Sequence, residues 1–265
     1  MRPRFAHWLS VCAVLIAARP LAAEPVPVRL PEGLVHGFLT LRSVDGTILA
    51  EGDQIQYLRD GRVTSRLLLK FRDGSVNDET VVFTQDKVFR VLSDRLVQRG
   101  PSFPTPIELA IDAARGRVAV HYTKDGKPGS AEEKMELPPD LANGMVLTLI
   151  KNLDHRAPLA TVSMVAATPK PRLVRLAITP SGENGFTVGT SRRQAVHWVV
   201  HIELGGLAGV IAPIIGKQPP DTHVWVLEGD APAFVGSEGP LAIGTPPWRL
   251  ELASPAAPRY GAAGK

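Results

Sequence analysis

The stretch Arg62-Val-Thr-Ser-Arg-Leu-Leu-Leu-Lys-Phe-Arg72 decides the fold class of this 265-residue chain. Alternate side chains fall into two sets, one mainly apolar and the other mainly basic. The apolar set is Val63, Ser65, Leu67, Leu69 and Phe71, and the other is Arg62, Thr64, Arg66, Leu68, Lys70 and Arg72. A period of two predicts a long β-strand with one buried face and one solvated face.

Asp-Gly pairs punctuate the chain around this strand. They occur at Asp45-Gly46, Asp60-Gly61, Asp73-Gly74 and Asp125-Gly126. Asp-Gly tolerates the positive φ angles of tight hairpins, so between alternating segments it is a strong hairpin signal. Residues 34–98 are therefore predicted to form an antiparallel meander of about five long strands. Further strands are predicted at 117–123, 159–167, 172–179, 195–204, 222–228 and 247–252.

A buried helix is predicted over about residues 138–153. Pro138-Pro139-Asp140 is typical of a helix entry, with Asp140 as a possible N-cap. From Leu141 to Leu153 apolar residues cover most of the helical circumference, which favours burial on all sides. Gly144 lowers the helix propensity or marks close packing. A shorter helical segment of one or two turns is predicted for 107–114.

The N-terminus has the layout of a cleaved secretory signal over residues 1–23. Arg2 and Arg4 precede the apolar run Trp8–Ala18, and a small residue stands at the cleavage point, Ala23. The run is about half the length that crosses a bilayer. We expect export, most simply to the bacterial periplasm. The last residues, 254–265, are predicted to be disordered because they are rich in Ala, Pro and Gly.

Removal of this signal changes the charge and cysteine content. The chain's 30 basic residues lose Arg2, Arg4 and Arg19, so 27 remain against 26 acidic residues. A near-neutral chain gives no electrostatic support to nucleic-acid binding. The single cysteine, Cys12, leaves as well, which excludes thiol catalysis and cysteine-ligated zinc in the mature chain.

The connection from Leu204 to Asp221 is unusually apolar for a link between two strands. As a lid it would line an apolar pocket, as a membrane or partner contact it would be exposed, and as a plug it would complete the core. The predicted ligand-binding residues combine this connection with the helix. They are Leu207, Val210, Ile211, Ile214, Ile215, Met145 and Leu149.

The predicted meander, buried helix and later strands together favour one curved antiparallel β domain over 24–253, since twist curls large sheets. Two subdomains that meet near residue 155 are the alternative. The first arrangement resembles the incomplete β-barrels of periplasmic lipid and lipoprotein carriers of the lipoprotein-localisation type. The chain also resembles uncharacterised secreted bacterial β proteins. The carrier resemblance implies an open or incomplete barrel whose apolar concave side is covered by helices and holds a lipid-like ligand.

Two sets of charged or titratable residues are candidate sites. His197 and His201 share one strand face roughly 13 Å apart, so a metal or acid–base site would need His223 or Asp221 from the next strand. The basic stripe is formed by Arg59, Arg62, Arg66, Lys70 and Arg72. It could attract anionic lipids, but pairing with Asp78 and Glu79 is favoured.

No phosphate loop, Gly-x-Ser-x-Gly elbow or His-Glu-x-x-His motif occurs in the sequence. We therefore predict a non-enzymatic exported protein, without cofactor or metal, that binds a hydrophobic or amphipathic ligand in a concave sheet. Peripheral membrane contact is a further possibility for the same apolar surface. The alternatives are a hydrolase or metal enzyme built on the histidines and an envelope scaffold that binds other proteins by strand addition.

Overall fold

A computed structural model describes residues 24–188, 190–203 and 218–253. The predicted signal segment 1–23, the predicted tail 254–265 and most of the apolar connection, residues 204–217, lie outside the described residues. Within the described ranges the chain forms fourteen strands and one helix. No helix in these ranges has the length and apolar character needed to cross a membrane.

The elements are numbered in chain order. The strands of the first half are β1 (Val35–Ser43), β2 (Ile48–Arg59), β3 (Arg62–Phe71), β4 (Val76–Gln85), β5 (Phe89–Arg99), β6 (Ile107–Asp112), β7 (Arg117–Lys124) and β8 (Lys127–Lys134). The helix and the later strands are α1 (Val146–Asn152), β9 (Ala160–Ala166), β10 (Arg172–Val188), β11 (Ser191–Glu203), β12 (Thr222–Leu227), β13 (Ala233–Pro240) and β14 (Pro247–Leu252).

All fourteen strands belong to one antiparallel sheet. Its order runs from β8 down to β1, then from β14 down to β9, with β1 and β14 paired at the centre. The described strands β8 and β9 are the two edges, so the sheet is open and not a closed barrel. The predicted fold class, a mainly β antiparallel meander with one helix, is confirmed.

The Asp-Gly pairs form the predicted hairpin turns. Asp60 and Gly61 both adopt positive φ, at 50° and 71°, and Asp125 and Gly126 do the same at 51° and 72°. This is the backbone of a two-residue turn whose twist matches that of the flanking strands. The five strands predicted between residues 34 and 98 are β1 to β5.

The sheet curls until its two edges share a core. Leu109 of β6 and Val118 of β7 are fully buried in the same apolar cluster as Val162 of β9 and Ile178 of β10. These strands lie near opposite ends of the sheet order, so only a strongly curved sheet brings them together. Residues of α1 join the same cluster, which places the helix inside the curl.

The helix is shorter than the prediction of about 138–153. Its N-cap position is Met145, which makes no capping side-chain bond. The proposed cap, Asp140, instead accepts a hydrogen bond from the Ser163 hydroxyl at 2.9 Å. The prediction of an Asp140 cap is therefore wrong.

Gly144 and Asn143 explain the late start of the helix. Gly144 has a φ of 67°, a left-handed value that interrupts a right-handed helix. The Asn143 side-chain amide accepts a hydrogen bond from the Val165 N–H at 2.8 Å and donates one to the Val165 C=O at 2.9 Å. It therefore bonds to β9 as the backbone of a neighbouring strand would. The close packing that the glycine suggested is also present, since a Cβ at Gly144 would lie 2.7 Å from Val81 Cβ.

Residues 107–114 are not helical. Ile107, Leu109 and Ile111 are buried at every second position of β6, with half-buried residues between them. The prediction of a short helix there is wrong because the alternation is that of a strand. Strands β8 and β13 were not predicted, since neither shows a clear apolar alternation.

The segment before β1 is attached to the helix. The Asn152 side-chain oxygen accepts hydrogen bonds from the backbone N–H groups of Arg29 and Leu30, at 3.0 and 2.8 Å. Lys151 Nζ lies 2.6 Å from Glu32 Oε1, and both side chains are largely buried. These contacts fix the helix in the curl.

Candidate functional site

A cavity of about 640 Å³ lies on the concave side of the sheet. The β4–β6 part of the sheet, the segment 143–147, strands β9–β12 and the loop 240–245 all contribute to its wall. Its volume is within the range of pockets that hold small organic ligands.

Most of the cavity wall is apolar. The apolar side chains come from both halves of the sheet and from the helix, and include Leu96, Leu109, Val146, Leu147, Met164, Val174, Leu176, Val200, Ile202 and Val224. An apolar wall with a few polar groups is the usual character of a small-molecule site. The arrangement can exclude water from an alkyl or aromatic group but cannot by itself orient one.

The predicted helix residues lie beside the cavity and not in its wall. Met145 and Leu149 are each 2% exposed and pack into the core. Val146 and Leu147, on the other side of the helix, line the cavity instead. Sequence periodicity could not separate these two sides because apolar residues cover both.

The predicted connection residues Leu207, Val210, Ile211, Ile214 and Ile215 lie outside the described residues. The described end of the same connection, 218–220, does line the cavity. Gln218 is held there by a hydrogen bond of 2.8 Å from its side-chain amide to the Ile202 carbonyl. The connection therefore returns to the sheet at the cavity.

One end of the cavity is polar. Asn77 and Glu79 project from β4 and Gln98 from β5, and all three line the cavity. They face inward because the register pairs Asn77 with Gln98 and Glu79 with Leu96. The Gln98 amide donates to Asn77 Oδ1 and to the Leu241 carbonyl, both at 2.9 Å. Asn77 Nδ2 is buried without a hydrogen-bond partner.

Asp94 lies beside this polar end because of a β-bulge. The register of β4 and β5 shifts between Val82 and Phe83, so β5 carries one more residue than β4 at this point. Phe89 and Val91 are buried before the shift, whereas Asp94 is buried after it, directly opposite Val81. Without the shift, strict alternation would point Asp94 to solvent.

The two acidic groups have an unusual environment for carboxylates. Asp94 is 2% exposed. Among the described residues the Arg95 backbone N–H favours its ionised form, but no group makes a hydrogen bond of full geometry to either carboxylate oxygen. Burial raises the pKa of Glu79 to about 7. Burial, and then the neighbouring Glu79, raise the pKa of Asp94. Charge is costly here because burial disfavours the ionised forms, and the ion pairs among the described residues do not include either carboxylate.

Comparisons with known proteins give no function. No family model matches the chain, and no curated protein matches it. One solved structure is similar: a "Beta-barrel-like Protein of Domain of Unknown Function DUF1849" from Brucella abortus. The match covers 88% of this chain and 98% of that chain, with 11% sequence identity and a TM-score of 0.44.

The histidine candidates lie on the convex face and form two separate pairs. His197 Nε2 lies 2.9 Å from His223 Nδ1, and His201 Nδ1 lies 2.7 Å from Asp221 Oδ1. His197 also stacks on Trp225, with ring centroids 5.0 Å apart. Burial, followed by the neighbouring His223, lowers the pKa of His197. In the described ranges no group of three or more His, Cys, Asp or Glu side chains could hold a metal ion.

The basic stripe has only one of its two expected acidic partners. Arg66 binds Asp78 through two hydrogen bonds, of 2.8 and 2.7 Å, on the convex face. Glu79 lines the cavity on the opposite face. The prediction that Glu79 pairs with the stripe is wrong, because adjacent residues of a strand point to opposite faces.

Proposed function

We propose that this protein is a non-enzymatic binding protein of the bacterial periplasm that holds a hydrophobic or amphipathic ligand in its concave cavity. The observation that supports this most directly is the cavity of about 640 Å³ between the curled sheet and α1. A curled sheet that served only as a scaffold would be expected to fill this space with side chains, since protein interiors are close-packed.

The wall of the cavity favours an alkyl chain or a similar group. Each methylene group moved from water to an apolar environment contributes about 0.8 kcal/mol. Side chains such as Leu176 and Val200 offer such an environment on one side, and Leu147 offers it on the other. The free energy of binding then comes mainly from the ligand's apolar part.

The apolar connection 204–221 serves as a lid in this proposal. Its described end, 218–220, lines the cavity. Leu207, Val210, Ile211, Ile214 and Ile215 would supply further apolar contacts to the ligand, as the sequence suggests.

Gentle purification followed by lipid mass spectrometry tests the function. We expect an apolar or amphipathic compound to copurify with the wild-type protein at close to one molecule per chain. Leu147→Trp, which fills the cavity, should lose it. Leu159→Trp is the matched control, since Leu159 is 48% exposed and does not line the cavity. A wild-type protein that is consistently empty and binds no alkyl compound would overturn the proposal.

The proposed compartment is tested separately. We expect a full-length chain with a C-terminal reporter to appear in the periplasmic fraction of a bacterial host, and a chain lacking residues 1–23 to remain in the cytoplasm. Equal cytoplasmic retention of both chains would contradict export.

A further inference from the structure

We propose that the ligand carries a protonated primary amine, which binds Glu79 at the polar end of the cavity, with Asp94 behind it. This inference rests on the proposed function and names the head group of the ligand. It assigns Glu79 as the residue that contacts the amine.

The described residues leave these groups without their full set of hydrogen bonds. Within the described ranges no hydrogen bond or ion pair joins Glu79 to another residue. Apart from the Arg95 backbone N–H, which favours the ionised form of Asp94, no described group satisfies the Asp94 carboxylate oxygens. Buried polar groups in proteins are almost always hydrogen-bonded, so each exception requires an explanation. Here the Asp94 carboxylate and the Asn77 amide are such exceptions, and the half-buried Glu79 lies beside them without a hydrogen bond to a described residue.

These incompletely bonded groups adjoin the cavity. Glu79 and Asn77 line it. Asp94 Oδ1 would lie 2.8 Å from a Cβ at Gly144, and the Gly144 backbone belongs to the cavity wall. The unpartnered groups therefore lie next to space that a ligand can occupy.

The two acidic groups favour a ligand head group with a positive charge. A fatty carboxylate would place a third acidic group beside Glu79 and Asp94, which like-charge repulsion disfavours. A fatty alcohol would offer one neutral hydrogen bond. A protonated amine offers three donors and a positive charge, and hydrogen bonds with charged partners are about twice as strong as neutral ones.

Asn77 adds a donor to the same site. Gln98 uses its amide hydrogens on Asn77 Oδ1 and on the Leu241 carbonyl, which fixes the orientation of the Asn77 amide. Its Nδ2 is thus left as a donor without a partner. An oxygen atom of the same head group would accept a hydrogen bond from this Nδ2.

Amine binding should depend on pH through Glu79. Leu67 of β3 and Leu96 of β5 flank Glu79 in the sheet, and the uncharged segment 143–147 lines the same cavity. Among the described residues, Asp94 is therefore its titratable neighbour. The amine favours the ionised carboxylate, so binding to the protonated site releases a proton. Affinity should rise between about pH 5 and pH 8, a range in which an alkylamine stays protonated.

Calorimetric titration with decylamine, decanol and decanoate below their micelle concentrations tests the proposal. At pH 8 we expect one site, at which decylamine binds roughly tenfold or more tightly than either other compound. Glu79→Gln should remove this preference and leave decanol affinity within about twofold. Glu51→Gln, on the exposed convex face of β2, is the control and should behave as wild type.

Proton release provides a test that needs no variant. Titrations of the wild-type protein at pH 6 in buffers of different ionisation enthalpy should show about one proton released per decylamine bound. Equal affinity for decylamine and decanol, or no proton release, would overturn the amine assignment while leaving the proposed function intact. Failure of all three compounds to bind would instead overturn the proposed function.

Discussion

Glu32 is buried and Glu79 is half-buried on the concave face, and their surroundings are opposite. Glu32 has a side chain that is 7% exposed, an ion pair with Lys151 at 2.6 Å and a hydrogen bond from Gln56 at 2.9 Å. Glu79 faces the cavity without a partner among the described residues. The difference separates a carboxylate that holds the structure together from one that is left available.

The two environments also differ in position. Glu32 lies where the segment before β1 meets α1, and every group around it belongs to the protein. Glu79 lies on the concave face beside a space that the described residues do not fill. A buried charge that the chain does not complete has a rationale when a ligand completes it.

The largest effect is expected from breaking the Glu32 pair. Lys151→Met should lower the free energy of unfolding by about 3 kcal/mol, because it leaves a buried carboxylate without its counter-charge. Urea denaturation at neutral pH measures this, and adding Glu32→Gln should restore part of the loss. Arg95→Met, which breaks an exposed pair with Glu108, should cost less than about 1 kcal/mol. Equal losses for the two single variants would show that the Glu32 pair is not special.

A change of opposite sign is expected at Glu79. Its pKa is raised from 4.5 to about 7, so the folded state retains a proton that the unfolded state releases. The contribution of this proton to the free energy of unfolding is fully present below about pH 4.5, and it is lost as the pH rises through about 7. Glu79→Gln should therefore be more stable than wild type by roughly 2–3 kcal/mol at pH 8, because raising the pKa by about 2.5 corresponds to about 3.4 kcal/mol and the half-buried position of Glu79 reduces this value.

Urea denaturation between pH 4.5 and pH 8 checks this second expectation. Wild type and Glu79→Gln should be closest at the acidic end and diverge as the pH rises. Glu51→Gln should follow the wild-type curve throughout. A Glu79→Gln protein that is less stable than wild type at pH 8 would mean that Glu79 has a partner after all.

The smallest effect is expected on the convex face. His201 and Asp221 are 45% and 40% exposed, so His201→Gln should change the free energy of unfolding by less than about 1 kcal/mol and leave decylamine affinity unchanged. Elemental analysis of the purified protein accompanies this measurement. Stoichiometric zinc that disappears in His201→Gln would favour the metal-enzyme hypothesis over the binding protein.

The sequence predicted the sheet well because its signals are local. The alternation of Arg62–Phe71 specifies a strand, and the Asp-Gly pairs specify hairpin turns. Each of these signals is contained in a short stretch of sequence. The helix start was wrong because a left-handed glycine, Gly144, and the Asn143 bonds to Val165 replaced the expected cap. Those bonds join residues 22 positions apart, which no local pattern reveals.

The polar end of the cavity was predictable only in part. Asn77, Glu79, Val81 and Phe83 alternate along β4, so the sequence could have placed Glu79 on the concave face. Asp94 could not be placed in this way, because the bulge that turns it inward depends on how β5 pairs with β4. The cavity itself depends on the curl of the whole sheet.

The most direct measurement of the central claim is a titration of the Glu79 carboxyl carbon by NMR, assigned by its disappearance in Glu79→Gln. In the free protein we expect a midpoint near pH 7, and with saturating decylamine a midpoint that moves down because the ammonium group stabilises the carboxylate. A midpoint in the free protein near the ordinary value of 4.5, or one that decylamine leaves unchanged, would contradict the account.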